Sequence, residues 1–181
     1  KMIPGPLVPI HEGAFDSDFT LKNYGKMLRI AKQNYEFSTY SSIPWGKRFI
    51  LWRHDCDFSL NRARELASIE AAEGVKTTYF LNLHSEFYNL FEKSQHSLVI
   101  DIISMGHDVG LHFQTNFYKS FVNEAELENS LSSEITTLQQ LFGVKPSAFS
   151  FHNPTRKDLK FNQEVYGGLI NCYSKRFRNE V

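Results

Sequence analysis

Cysteine is scarce in this 181-residue chain, Cys56 and Cys172 being the two present. A pair so widely separated makes neither a disulfide framework nor a zinc-finger spacing, so two free thiols in a reducing compartment are expected. Net charge is absent as well, with Lys plus Arg and Asp plus Glu at 20 each. Without a basic excess or a block of like charge, neither a nucleic-acid partner nor a charged tail is expected. No apolar run is long enough to span a bilayer. The first ten residues carry three prolines and no signal-peptide core, which points to a cytoplasmic protein. Internal repeats and low-complexity stretches are also missing. What is present is enough chain for one domain, 1–181, with a sizeable core and an irregular segment at 1–16. The 16 Phe and 8 Tyr suit a packed core and a sugar-stacking groove alike.

The most informative stretch is Phe49-Ile50-Leu51-Trp52-Arg53-His54-Asp55-Cys56-Asp57. Its apolar run predicts a strand buried on both faces, as in parallel sheets. Ser59 then caps a helix whose stripe is Leu60, Ala63, Leu66, Ala67 and Ala71, stopped by Gly74. Asp55 and Asp57 therefore sit at the C-terminal end of a strand in a strand-turn-helix unit, where open α/β sheets and β/α barrels keep their active sites. A side-chain period of two puts both carboxylates on one side and Cys56 on the other. Two such carboxylates repel unless a cation or a shared proton intervenes, which favours a metal site over an Asp-rich helix-capping turn. Arg53 shares their face and is a candidate partner for Asp55, or a plain ion pair of the barrel core.

Further strands are predicted over 35–40, 77–81, 108–113, 148–151 and 169–173. Helices are predicted over 20–33, 97–105 and 124–142. The last of these has a capping-box start at Asn123 and Glu126 and a stripe of Leu127, Leu131, Ile135, Leu138 and Phe142. Strands alternating with helices at this spacing mean βα units and a mainly parallel sheet. In such an array all strand ends lie on one face, so Asp55 and Asp57, His112, and His152 converge although about a hundred residues separate them. His11, His84 and His96 lack this placement and are expected on the surface or in loops. His107 is expected to brace its turn.

Arg53-His54-Asp55-Cys56-Asp57, Gly106-His107-Asp108-Val109-Gly110-Leu111-His112 and Ser150-Phe151-His152-Asn153-Pro154 resemble the motifs of the polysaccharide deacetylase superfamily (carbohydrate esterase family 4). Thr77-Thr78-Tyr79-Phe80 resembles its Ala-Thr-Phe-Phe-like strand, so the resemblance covers roughly residues 48–155. It implies a distorted β/α barrel of mainly parallel strands holding one divalent metal ion, most often Zn2+, that removes acyl groups from amino sugars. By position it makes Asp55 the general base, Asp57 a metal ligand and His112 the first histidine ligand. The family's second histidine ligand falls at Asn116, and its third-motif arginine is missing here. Two assignments follow. Either His152 completes an Asp-His-His set with an open position for water, or Asn116 is the third ligand and His152 is the general acid. The family's later strands have no counterpart after Tyr173, so the barrel is expected to be incomplete.

The expected function is metal-dependent removal of an N-acyl group, acetyl above all, from an amino sugar, with a carbohydrate as the substrate. A cytoplasmic chain would act on a precursor of a surface polysaccharide. The first rival reads Asp55-Cys56-Asp57 as the Asp-x-Asp motif of a metal-dependent glycosyltransferase. The second is a deacetylase-like domain that has lost its site and binds a glycan or a partner protein.

Overall fold

The computed structural model describes residues 20–118, 121 and 123–180. The irregular segment expected over 1–16, with His11, lies outside them. The long apolar run is not one strand but two, divided at Trp52. Phe49–Leu51 (β2) pairs in parallel with Glu36–Ser38 (β1), whereas Arg53–Cys56 (β3) pairs in parallel with Thr78–Leu81 (β4). A chain that changes neighbours in mid-run lets a sheet coil towards a barrel. Trp52 holds the break: its indole N–H donates to the Tyr24 hydroxyl (3.0 Å) and its ring packs against Phe37 (5.8 Å between centroids).

Asp108–Phe113 (β5), Ala148–Phe151 (β6), Val165–Tyr166 (β7) and Leu169–Asn171 (β8) complete a sheet in the order β3-β4-β5-β6-β8-β7. All its pairs are parallel except β7 with β8. That hairpin turns on Gly167-Gly168, both at positive φ (56° and 77°), as a tight two-residue turn requires. No pairing joins β1 to β7 among the described residues, so the array is a distorted, incomplete β/α barrel. Helices Leu21–Lys32 (α1), Leu60–Ala72 (α2), Lys93–Ser104 (α3), Glu124–Phe142 (α4) and Lys175–Glu180 (α5) accompany it. None is long and apolar enough to cross a membrane.

Helix α4 follows its sequence pattern, with the Asn123 side chain accepting from the Glu126 N–H (3.0 Å) and all five stripe residues buried. Helix α3 begins about a turn before the predicted start, because the Glu92 carboxylate caps it by accepting from the Gln95 N–H (3.0 Å). His96 is thereby a helical residue and not the surface or loop histidine expected. Its Nε2 lies 2.9 Å from the Leu141 carbonyl and its ring stacks on Phe142. In α2, Leu60, Ala63 and Ala67 are buried as predicted, but so is Glu70. Its carboxylate accepts from Thr77 (2.7 Å), Tyr79 (2.7 Å) and Tyr24, and lies 2.5 Å from His54 Nε2. Burial works to raise the Glu70 carboxyl, but the hydrogen bonds from His54, Tyr24 and Tyr79 prevail and hold it below the ordinary glutamate range. His107 belongs to the same network: its Nδ1 accepts from the Thr77 N–H (3.3 Å), so its Nε2–H donates to the Ala67 carbonyl (2.9 Å). It braces α2 against the sheet more than its own turn.

Strand alternation divides the side chains into two populations. Cys56, Tyr79, Leu81, Val109, Leu111, Phe113, Phe149 and Phe151 face the helices in the main core. Phe80 and Ala148 face inward and pack with Tyr40. Inside, Phe80 lies across Gly110, its partner on β5. A Cβ on Gly110 would meet the Phe80 ring at 2.5 Å. Gly110→Ala is therefore expected to cost about 1–3 kcal/mol through overpacking, measured by chemical denaturation. Adding Phe80→Leu should recover part of the loss, and an unchanged midpoint for Gly110→Ala would contradict this packing.

Candidate metal centre

The inward-facing positions at the strand ends carry the polar side chains. On β3 and just past it these are Arg53, Asp55 and Asp57, on β5 His112, and on β6 Ser150 with His152 immediately after. His152 is held in line by its N–H, which donates to the Phe113 carbonyl (2.8 Å) and prolongs the β5–β6 ladder. The next residue, Asn153, has φ 46°, a conformation uncommon outside glycine and found at sites where a neighbouring side chain must be aimed.

Three donor atoms meet. Asp57 Oδ1 lies 3.1 Å from His112 Nε2 and 3.0 Å from His152 Nδ1, and the two ring nitrogens are 3.1 Å apart. A tetrahedral zinc with bonds of about 2.0–2.1 Å separates its ligand atoms by about 3.3 Å. One carboxylate and two imidazoles at these spacings therefore fit such an ion. Two imidazole nitrogens facing each other and one carboxylate oxygen at contact distance also have lone pairs that a shared cation satisfies.

The hydrogen bonds behind the donors agree with that role. His112 is almost fully buried (3% exposed) and its Nδ1 sits 2.7 Å from Ser150 Oγ. Nδ1–H donating there leaves the Nε2 lone pair for the centre, the arrangement that fixes a ligand histidine. Ser150 in turn donates towards Asp55 Oδ1 (3.5 Å), so one hydroxyl links the buried imidazole to the second carboxylate. Burial pushes the His112 imidazole below the ordinary histidine range, against the pull of Asp55 and Asp57, which favours the neutral ligand form. The Asn153 side-chain nitrogen Nδ2 meets His152 Nε2 at 2.9 Å, and a flip of that amide would present its oxygen to an Nε2–H and leave the Nδ1 lone pair facing inward.

Asp55 lies outside the three-donor group. Its Oδ2 accepts from Arg53 Nη2 (3.1 Å), and that guanidinium lies over Phe80 (5.4 Å) and Tyr173 (5.8 Å). Asn116 lies on a short 3-10 turn, Thr115–Phe117, and lines the same cleft as Asp57 and His152. The cleft holds about 420 Å³ and is bordered by Asp57, His152, Asn153, Asn82, Gln114 and the loop from Ser85 to Phe87. Thus Asp57, His112 and His152 come together, Arg53 and Asp55 form an adjoining pair, and Asn116 lines the cleft with Asp57 and His152. Ser150 is the residue that motif reading passes over; its place two residues before His152, on the same strand face, was the available signal.

No protein-family model matches the chain, and no curated protein matches it in sequence. Among solved structures it is similar to IcaB from Ammonifex degensii, with a TM-score of 0.52 and 15% identity over 77% of this chain and 70% of that one. The likeness is one of fold. A weaker likeness is to the chitin deacetylase from the fungal pathogen Colletotrichum lindemuthianum, with a TM-score of 0.41 and 17% identity over 56% of this chain and 43% of that one.

The donor set makes a direct prediction. Zinc at a hundredfold excess over its dissociation constant should stabilise the protein by about 2.7 kcal/mol, raising its melting temperature by several degrees. His112→Ala should abolish the shift. An equal shift in that variant would place the ion elsewhere.

Proposed function

We propose that the protein is a metal-dependent hydrolase of the polysaccharide deacetylase superfamily that removes an N-acyl group from an amino sugar. The observation that carries this reading is the meeting of Asp57, His112 and His152 within 4.8 Å of one another at the mouth of a cleft, beside a separately held carboxylate. In it, Asp57, His112 and His152 hold one divalent ion, zinc for preference given two imidazoles and one carboxylate. Such an ion lowers the pKa of a water and polarises an acyl oxygen.

The remaining chemistry belongs to the chain. Asp55 takes the proton from the attacking water. Arg53 holds Asp55 Oδ2, which leaves Oδ1 on the side of Ser150 to take that proton. Ser150 fixes the relative placement of Asp55 and His112. With His152 among the donors, the proton gained by Asp55 is the one passed to the departing amine. Asn116 then serves the cleft wall and not the metal.

The glycosyltransferase reading needs Asp55 and Asp57 to act together on one cation. The engagement of Asp55 with Arg53, and of Asp57 with two histidines, favours division of labour between them. In the hydrolase reading Asp55→Asn retains the zinc-induced thermal shift while acetate release from an N-acetylglucosamine oligomer falls by at least a thousandfold. Normal turnover in the variant would refute Asp55 as the base, and absence of turnover in the metal-loaded wild type would refute the hydrolase.

A further inference from the structure

Strand β4 supplies none of the three donors, yet it lies between β3 and β5, whose ends supply two of them. Neighbouring strands stand about 4.8 Å apart, so β3 and β5 are about 10 Å apart. Across that gap Asp57 Oδ1 and His112 Nε2 come to 3.1 Å. His112 is held in the ladder, in register with Ser150. Asp57 is not, because the pairing of β3 with β4 ends at Cys56 and Leu81, one residue short of it. Its own N–H turns back to the Asp55 carbonyl (3.1 Å). The placement of its carboxylate therefore depends on what grips the chain at the exit of β3.

The grip comes from the loop after β4. The Tyr88 hydroxyl donates to the Cys56 carbonyl (2.6 Å) and accepts from the Asn82 N–H (3.0 Å). The Ser85 hydroxyl donates to the Asp57 carbonyl (3.1 Å) and accepts from the Phe87 N–H (3.1 Å). The carbonyls before and after the Asp57 side chain are thus both held. Phe87 also lies against Phe58, the residue after Asp57, with ring centroids 4.7 Å apart. Asn82 is buried, and its side chain carries the connection onward. Its Nδ2 donates to Gln114 Oε1 (3.0 Å), two residues past His112, while its Oδ1 accepts from the His84 N–H (2.8 Å). One chain of hydrogen bonds runs from Cys56 through Tyr88 and Asn82 to Gln114, and so from the exit of β3 to the exit of β5. Burial pushes the Tyr88 phenol above the ordinary tyrosine range, which keeps it the O–H that this donor role needs.

We propose that Tyr88 is a positioning residue for the cation, which sets the Asp57 carboxylate against the His112 imidazole and thereby the affinity of the centre. The inference rests on the metal-binding part of the hydrolase reading. The Tyr88 hydroxyl has its donor and an acceptor position engaged, so its loss releases the Cys56 carbonyl and the Asn82 N–H together. Ser85 then holds Asp57 from a loop no longer tied at Cys56. Groups that orient a ligand without touching the metal change its affinity by about 10–100-fold. Strand β4 is in this way the spacer of the centre, although none of its residues is a ligand.

Zinc affinity, read by competition with a chromophoric chelator well below the melting temperature, tests this. Tyr88→Phe keeps the ring, removes one oxygen and should weaken zinc by about tenfold or more. Ser85→Ala should weaken it in the same direction. Tyr166→Phe is the matched control on the edge strand β7. Its hydroxyl also donates to a side chain (Glu124 Oε1, 2.9 Å) and accepts from a backbone N–H (Gln163, 3.4 Å). That variant should lose stability and keep the wild-type zinc affinity. Cobalt bound in place of zinc should show an altered visible absorption in Tyr88→Phe and the wild-type absorption in Tyr166→Phe. Unchanged zinc affinity in Tyr88→Phe, or an equal loss in Tyr166→Phe, would overturn the positioning role and leave the metal centre standing. No saturable zinc binding by the wild-type chain would overturn the metal centre itself, and the positioning role with it.

Discussion

Strict alternation of side chains across a parallel sheet is the constraint on which the remainder of this molecule depends. Each strand must send every second residue towards the helices and the others inward. On β3 that rule sends His54 and Cys56 outward and Arg53, Asp55 and Asp57 inward. On β5 it buries Val109, Leu111 and Phe113 against the helices and leaves Gly110 and His112 inside. On β6 it does the same with Phe149 and Phe151 against Ala148 and Ser150. Because the strands are parallel and in register, the inward residues stack in layers. Asp55, Phe80 and Gly110 share one level, and His112 and Ser150 share the next inward level towards the strands' C-terminal ends. Asp57 and His152 close the top.

The two faces of the sheet are coupled through single residues. Asp55 faces the site while its neighbour His54 is fixed to Glu70 of α2, and Glu70 is fixed to Thr77 and Tyr79 at the start of β4. A buried carboxylate with four partners is costly to desolvate and tolerates little movement of any of them. It therefore locks the register between α2, β3 and β4, and with it the position of both aspartates. The same economy of placement appears at Ser150, one hydroxyl between His112 and Asp55, and at Ser85, one hydroxyl between Asp57 and the loop of Phe87.

The strand-end residues were legible in the sequence because period-two alternation and βα order are local signals that fix a global placement. Asp57, His112 and His152 needed only parallel strands to converge, and Arg53 needed only to be two residues from Asp55. The structural likeness to IcaB adds the fold. Other features were not legible, each for a physical reason. The split at Trp52 depends on which neighbour each half of an apolar run finds. Glu70 occupies a core position that hydrophobic periodicity assigns to apolar residues. Glu92 caps α3 where the cap preference favours Ser, Thr, Asp or Asn. The Phe58–Phe87 contact joins two loops and leaves no trace in local pattern.

The account's central claim is that alternation brings one carboxylate and two imidazoles from three strand ends around one cation. The most direct test is a crystal soaked in zinc, with anomalous diffraction recorded on both sides of the zinc edge. The account predicts a single peak with Asp57 Oδ1, His112 Nε2 and His152 Nδ1 at about 2.0–2.2 Å, and Asp55 remaining on Arg53. A peak that engages Asp55 and Asp57 together without the histidines, or no peak at this position, would contradict it.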